Sequence, residues 1–263
     1  MPRFAANLTM MFTERPFLER VEAAASAGFA AVEFLFPYAH DARDIRDRLK
    51  EHGLAQVLFN MPPGDFEAGE RGIACLPDRT AEFRAGIAQA LAYADVLECP
   101  TLHTMAGLKP AGLSEQELYR TYVTNLAYAA AECRAAGRTL VIEPINGRDM
   151  PGYFMNTTEL ARRVIADVGA DNLRLQLDLY HCQISEGDLA TRIRDLADLT
   201  AHVQIAGVPA RNEPDTGEVN YPFLFDVLDE TGFRGFIGCE YRPRGRTEDG
   251  LGWFEPYRSK RRG

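Results

Sequence analysis

The chain has 263 residues, 46% of them hydrophobic and 25% charged, with a formal net charge of −9. That describes an ordinary soluble globular protein with material for a full core, and about 250 residues is the usual size of one α/β barrel. The acidic balance argues against non-specific nucleic-acid binding, which rests on basic patches, and no run of 18 apolar residues offers a membrane span.

The five cysteines, Cys75, Cys99, Cys133, Cys182 and Cys239, are scattered without a CxxC pair. They suit buried thiols in a reducing cytoplasm better than a disulfide framework or a structural zinc site. The opening "MPRFAANLTMMF" lacks a signal-peptide pattern and reads as a strand entered directly.

Short β-rich runs then alternate with helical stretches. The strands are expected at Arg3–Leu8, Ala30–Leu35, Leu54–Asn60, Thr101–Met105, Thr139–Pro144, Leu173–Asp178, Ala201–Ala206 and Gly235–Glu240. Between the first two, "PFLERVEAAASAG" opens with Pro16 and stops at Gly28. The segment after strand three, Met61–Asp78, is too long for a plain connection and is a candidate active-site lid. After strand four, a helix begins with Ser114 three residues before Glu117, a capping box, and ends at Gly137. The basic end, Tyr257–Gly263, reads as a solvated tail.

Eight strands alternating with helices predict a parallel sheet, and this length most simply closes it as a single-domain (β/α)8 TIM barrel. An open doubly wound sheet is the competing architecture, but no GxGxxG follows any strand.

"LRLQLDLYH" (Leu173–His181) alternates strictly. In a barrel its leucines meet the surrounding helices, while Arg174, Gln176 and Asp178 point inward, with Asp178 at the C-terminal mouth where active sites form. The same phase places Glu143 at the end of strand five, Gln204 on strand seven and Glu240 at the end of strand eight. The intervals are 35, 26 and 36 residues, about one βα unit each. A lone strand-end acid is usually a cap or an ion-pair partner. Three carboxylates and an amide converging on one mouth would repel and protonate one another, a conflict that one divalent cation resolves. All-oxygen donors favour Mg²⁺ or Mn²⁺. His181, expected on the following loop, is by itself weak evidence.

Blocks along nearly the whole chain carry a resemblance: "RFAANLTMMFTE", "VEFLFPY", "GERGIACLP", "IEPIN", "LDLYHCQ", "HVQIAGVPARNEPDTGEVNYP" and "GLGWF". The sequence resembles the hydroxypyruvate isomerase family within the xylose-isomerase-like, metal-dependent barrels. The resemblance implies Glu143 and Glu240 as the acid/base pair. It implies Glu143, Asp178, Gln204 and Glu240 as metal ligands, and His181 and Arg211 as substrate contacts. Family members divide between hydroxypyruvate isomerases and 2-oxo-tetronate isomerases. This chain mixes their features: "QIAGVP" and "GLGWF" look like the tetronate branch, "ERGIACLP" and "IEPINGRDMPG" like the hydroxypyruvate branch.

The expected activity is therefore a metal-dependent aldose–ketose isomerisation of a small hydroxy-oxo acid, first hydroxypyruvate, alternatively a 2-oxo-tetronate. The hard step is removing a C–H proton next to a carbonyl, which two carboxylates and a Lewis acid suit. Arg211 could grip the substrate carboxylate bidentately, with Arg71 and Lys109 as helpers. For the latter two, a solvated loop charge is the competing explanation. An abasic-site endonuclease would need a histidine-rich zinc cluster and a basic face, against five histidines and a net charge of −9. A ketose 3-epimerase and a non-catalytic ligand-binding barrel are the other rivals. No membrane or nucleic-acid partner is expected, and a homo-oligomer is compatible with the chain.

Overall fold

Alternating apolar residues in the strands and glycine-stopped helices between them build an alternation of βα units. The computed structural model describes residues 2–258. Its strands are β1 (Phe4–Asn7), β2 (Ala31–Phe34), β3 (Ala55–Asn60), β4 (Thr101–His103), β5 (Thr139–Ile142), β6 (Leu173–Asp178), β7 (Thr200–Ile205) and β8 (Ile237–Cys239). They close in chain order into an all-parallel barrel, β8 pairing back onto β1. The helices are α1 (Phe17–Ser26), α2 (Ala42–His52), α3 (Thr80–Leu97), α4 (Glu115–Ala135), α5 (Thr158–Val168), α6 (Leu179–Ser185), α7 (Leu189–Asp195) and α8 (Tyr221–Glu230). Among the described residues, no helix is long and apolar enough to cross a membrane.

Local chemistry sets the helix ends where it was expected to. The Ser114 side chain accepts from the Glu117 amide while the Glu117 carboxylate reaches back, so both halves of the capping box are made. Gly28 takes a φ of 94° just past α1, a backbone that a side chain would resist. The connection from β6 to β7 is broken into α6 and α7 because Gly187 and Asp188 both adopt positive φ, 68° and 50°.

Two apolar layers hold the barrel. Outward residues of the strands, among them Leu173, Leu175, Leu177, Val203, Ile205 and Cys239, join the helices in one continuous buried core. A small interior plug of Ala5, Ala31 and Val57, backed by Phe236, fills the barrel separately. The inward phase expected for β6 holds for Gln176 and Asp178. Arg174 instead stays half-buried at the foot, its guanidinium donating to the carbonyls of Asp198 and Leu199.

β5 and β8 end one residue before the glutamates expected to finish them, at Ile142 and Cys239. Pro144 follows Glu143 and has no N–H to continue a ladder. Residues 61–78 are anchored more than a free lid would be. Ile73, Ala74 and Cys75 are buried, Gly72 bridges Ala106, and Arg79 ion-pairs Glu70 at 2.5 Å. The expected basic tail falls largely on 259–263, outside the described residues; within reach, Tyr257 packs on Phe4 and Phe225.

Candidate active site

Strand phase delivers the site. β5, β6 and β8 each bring an inward carboxylate to the mouth: Glu143, Asp178 and Glu240, all buried. Asp178 also starts α6, its Oδ1 accepting from the Tyr180 amide at 2.8 Å. That cap makes a helical turn of the next residues, so His181 sits on α6 and not on a loop, buried and turned back over the mouth. Ligand atoms of Glu143, Asp178, His181 and Glu240 all lie within 4.8 Å of one another.

The electrostatics are those of a charge-crowded, buried cluster. Burial, then Glu240 and Asp178, push the Glu143 carboxyl well above the usual carboxylate range. Burial raises Asp178 to about 6 against the pull of Arg211, and Glu240 to about 8 against the same pull. Burial, reinforced by Arg211, holds His181 well below its ordinary value, so it is neutral. Glu143 Oε1 and Asp178 Oδ2 are buried with no hydrogen-bond partner. Two orphaned carboxylate oxygens side by side are costly unless something cationic or protic meets them.

Part of that compensation comes from Arg211. Its guanidinium contacts Glu240 at 2.6 Å, Asp178 at 3.6 Å and Asp149 at 3.9 Å, and lies 4.9 Å over the Tyr180 ring. Burial opposes its charge, but Glu240, Asp178 and Glu143 outweigh it and hold it protonated. The backbone there is strained: Arg211 has a φ of 57°, pinned by its own amide donating to Gly207 O and the Arg242 amide donating to its carbonyl, both at 2.7 Å. A non-glycine residue in that region costs about 1–3 kcal/mol, and such strain clusters at functional sites.

Beneath the carboxylates lies a polar layer. Glu33 on β2, fully buried, accepts from Asn7 Nδ2 at 3.0 Å and Gln204 Nε2 at 2.8 Å, and its Oε2 meets His202 Nε2 at 2.6 Å. Asn7 Nδ2 also reaches Glu240 Oε1 at 3.3 Å. Gln204 pairs with Asp178 across β6 and β7. Because Glu33 occupies its amide nitrogen, the Gln204 carbonyl oxygen faces the other way, where it accepts from Gln176 at 2.6 Å.

The remaining expected residues divide. Arg71 lines the mouth cavity, about 540 Å³, together with Phe66, but its Nη1 donates to the carbonyls of Phe66 and Glu70 at 2.9 and 2.7 Å. Lys109 is not brought there: it pairs with Glu115 at 3.0 Å and lines a separate surface cleft beside Tyr119. The turn after β4 carries it outward over α4.

Several residues at the mouth escape sequence reasoning. His103 on β4 lines the cavity with both ring nitrogens unpartnered, 3.7 Å from Glu143, and burial holds its pKa down at about 3. It follows the same inward phase and could have been found that way, as could Glu33. Asn146, Asp149 and Tyr180 follow no strand phase and could not.

Residues 21–257 match the family described as the xylose isomerase-like TIM barrel. The chain belongs to that family. Within this xylose isomerase-like barrel family it is similar to 2-oxo-tetronate isomerase of Cupriavidus necator, 56% identical over 98% of this chain and 99% of that one. It is similar also to hydroxypyruvate isomerase of Escherichia coli, 46% identical over 98% of this chain and all of the relative. A solved structure titled AP endonuclease, family 2, from Brucella melitensis superposes with a TM-score of 0.97 at 53% identity, covering 98% of this chain and 100% of that one.

Proposed function

We propose that the protein is a cytoplasmic, divalent-cation-dependent isomerase of short 2-oxo-3-hydroxy acids. The observation that carries this reading is the buried trio Glu143, Asp178 and Glu240 converging with two carboxylate oxygens unpartnered. Those oxygens are hard donors and fit an ion such as Mg²⁺ or Mn²⁺. Glu143, Asp178 and Glu240 would hold it with the Gln204 carbonyl, once that oxygen turns from Gln176. Bound there, it would supply Lewis-acid polarisation of the substrate's carbonyl and hydroxyl oxygens.

The chain's own residues do the rest. One of the pair Glu143/Glu240 takes the proton from the carbon bearing the hydroxyl, next to the carbonyl. The electron pair left behind forms the enediol between the two carbons. The other glutamate returns a proton to the former carbonyl carbon while the hydroxyl proton passes to the former carbonyl oxygen, so that carbonyl and hydroxyl exchange places. A carboxylate can accept the proton from one carbon, and a protonated carboxyl can return one to the other, so a pair of glutamates suffices for both roles. His181 faces the substrate oxygens, and Arg211, already at Glu240, holds the substrate's own carboxylate.

Between substrates, the 56% identity to the Cupriavidus enzyme favours a four-carbon 2-oxo-tetronate over three-carbon hydroxypyruvate. The similarity to the Escherichia coli enzyme supports hydroxypyruvate as the second reading. DNA cleavage is not supported: the acidic cluster holds one histidine among the described residues, and the chain's net charge is −9. A panel of 2-oxo-tetronate, hydroxypyruvate and free ketoses at fixed Mg²⁺ or Mn²⁺ tests this. The highest kcat/KM is expected on 2-oxo-tetronate, and turnover confined to free ketoses would replace the reading with epimerisation.

A further inference from the structure

Four residues offer ligand atoms to the mouth, and one of them is a histidine whose role turns on a single proton. His181 points its Nε2 at the two orphaned oxygens, 3.6 Å from Asp178 Oδ2 and 4.0 Å from Glu143 Oε1. A lone pair on that nitrogen would bind a cation; a hydrogen there would make it a donor. The far side of the ring decides between them.

Nδ1 meets Asn146 twice. The backbone amide of Asn146 lies 3.4 Å from it and the side-chain Nδ2 2.6 Å. A backbone N–H can only donate, so Nδ1 must accept. The orientation of the side-chain amide is fixed independently. The Asp149 amide donates to Asn146 Oδ1 at 2.8 Å, and reversing the group would set NH₂ against N–H on that side. Asn146 is completely buried, so water cannot stand in for either partner. With two donors on Nδ1, a neutral imidazole carries its hydrogen on Nε2.

We infer that Asn146 is a positioning residue that fixes His181 as the Nε2–H tautomer, which makes His181 a hydrogen-bond donor to the substrate and excludes it as a metal ligand. Binding a cation through Nε2 would require the proton to move to Nδ1, where it would face two N–H donors. Gln204 is the neutral side chain left to offer an oxygen: Glu33 holds its nitrogen, and its oxygen, now accepting from Gln176, would have to turn toward the mouth to coordinate. The inference rests on the isomerase reading for what His181 donates to, namely the substrate oxygen between Glu143 and Asp178.

The test is long-range ¹H–¹⁵N NMR of the histidine rings, with His181 assigned by loss of its signals in His181→Gln. Wild-type protein, metal-free and loaded with Mg²⁺, is expected to show an unprotonated Nδ1 and a protonated Nε2. A protonated Nδ1, or an Nε2 that loses its hydrogen when Mg²⁺ is added, overturns the inference. Asn146→Asp replaces the donor by an acceptor and is expected to move the hydrogen to Nδ1 and lower kcat about 10–100-fold, the usual effect of losing such an orienting partner. Asn146→Ser, whose hydroxyl can donate, is expected to keep the Nε2–H form and most of kcat. An Asn146→Asp variant with wild-type tautomer and wild-type turnover overturns it as well. The NMR arm needs no turnover, so an enzyme inactive on both acids overturns the substrate reading and leaves the tautomer as measured.

Discussion

Glu240 illustrates how a side chain can be ligand and catalyst at once, and how the two are separated. Its Oε2 faces Arg211 at 2.6 Å and its Oε1 faces Asn7 at 3.3 Å, so the carboxylate is held from two sides before any ion or substrate arrives. Glu240→Gln keeps a coordinating oxygen but cannot take a proton. Losing a positioned base costs about 10²–10⁴ in rate. The expected outcome is a kcat lower by at least about 10² on the same basis, with exchange of the substrate's C–H proton into D₂O falling in step and metal still present by elemental analysis. A mutant with near-normal exchange would leave Glu240 as a ligand only.

The raised carboxyls also give a pH signature. With Glu240 pushed up to about 8 and Glu143 raised, protons occupy the pocket at neutral pH and must leave when an ion binds. Metal affinity is therefore expected to weaken as pH falls below about 8. Calorimetry at pH 7 in buffers of different ionisation enthalpy should register net proton release, and a buffer-independent heat would contradict it. At this scale inward phase, a property of the strand, brings Glu143, Asp178 and Glu240 together at the mouth and leaves Gln204 in the layer beneath, hydrogen-bonded to Gln176 and Glu33. Sequence reasoning misplaced Lys109 and missed Asn146 because loop direction is set by tertiary contacts, here the Lys109 amide on Gly152 O and the Asp149 amide on Asn146.

Among elements, residues 61–78 show what length alone cannot tell. A connection this long was expected to be a lid, yet Met61, Ile73, Ala74 and Cys75 belong to the core, and the more exposed part, 64–71, is tied down through Glu70 and Arg71. Gly72 is a tight anchor: its φ is 97°, and a Cβ there would lie 2.3 Å from Met105 O. Gly72→Ala should therefore destabilise the protein by more than the usual 1–3 kcal/mol or so of a strained residue. The check is a denaturant midpoint, and an unchanged midpoint would mean the bridge to Ala106 yields easily. Arg79 holds the other end through Glu70 and Glu82. Arg79→Ala should speed limited proteolysis within 64–71 while lowering stability by about 1 kcal/mol or less, because the pairs are partly solvated. Similarly, α6 was read as loop because seven residues carry too little periodicity; only the cap from Asp178 reveals it.

For the whole molecule, the barrel was legible because eight alternating segments leave few ways to bury both faces of a parallel sheet. The leucines of β6 and the inward Gln176 and Asp178 agree with that solution residue by residue. The polar layer around Glu33 was less legible: Glu33 and His202 share the inward phase, but only the closed barrel brings β2 and β7 together beneath the mouth. That layer lies directly beneath the carboxylates and touches one of them, Asn7 Nδ2 reaching Glu240 Oε1 at 3.3 Å. The central claim is that these carboxylates, with a divalent ion, move a proton between adjacent carbons of a 2-oxo acid. The most direct measurement is proton NMR of 2-oxo-tetronate with the purified enzyme in D₂O, after chelation and again after adding Mg²⁺ or Mn²⁺. Isomer formation with solvent deuterium incorporated, absent after chelation and restored by the ion, is the predicted result. Equal isomer formation by the metal-free protein, or none under either condition with 2-oxo-tetronate and hydroxypyruvate alike, would contradict it.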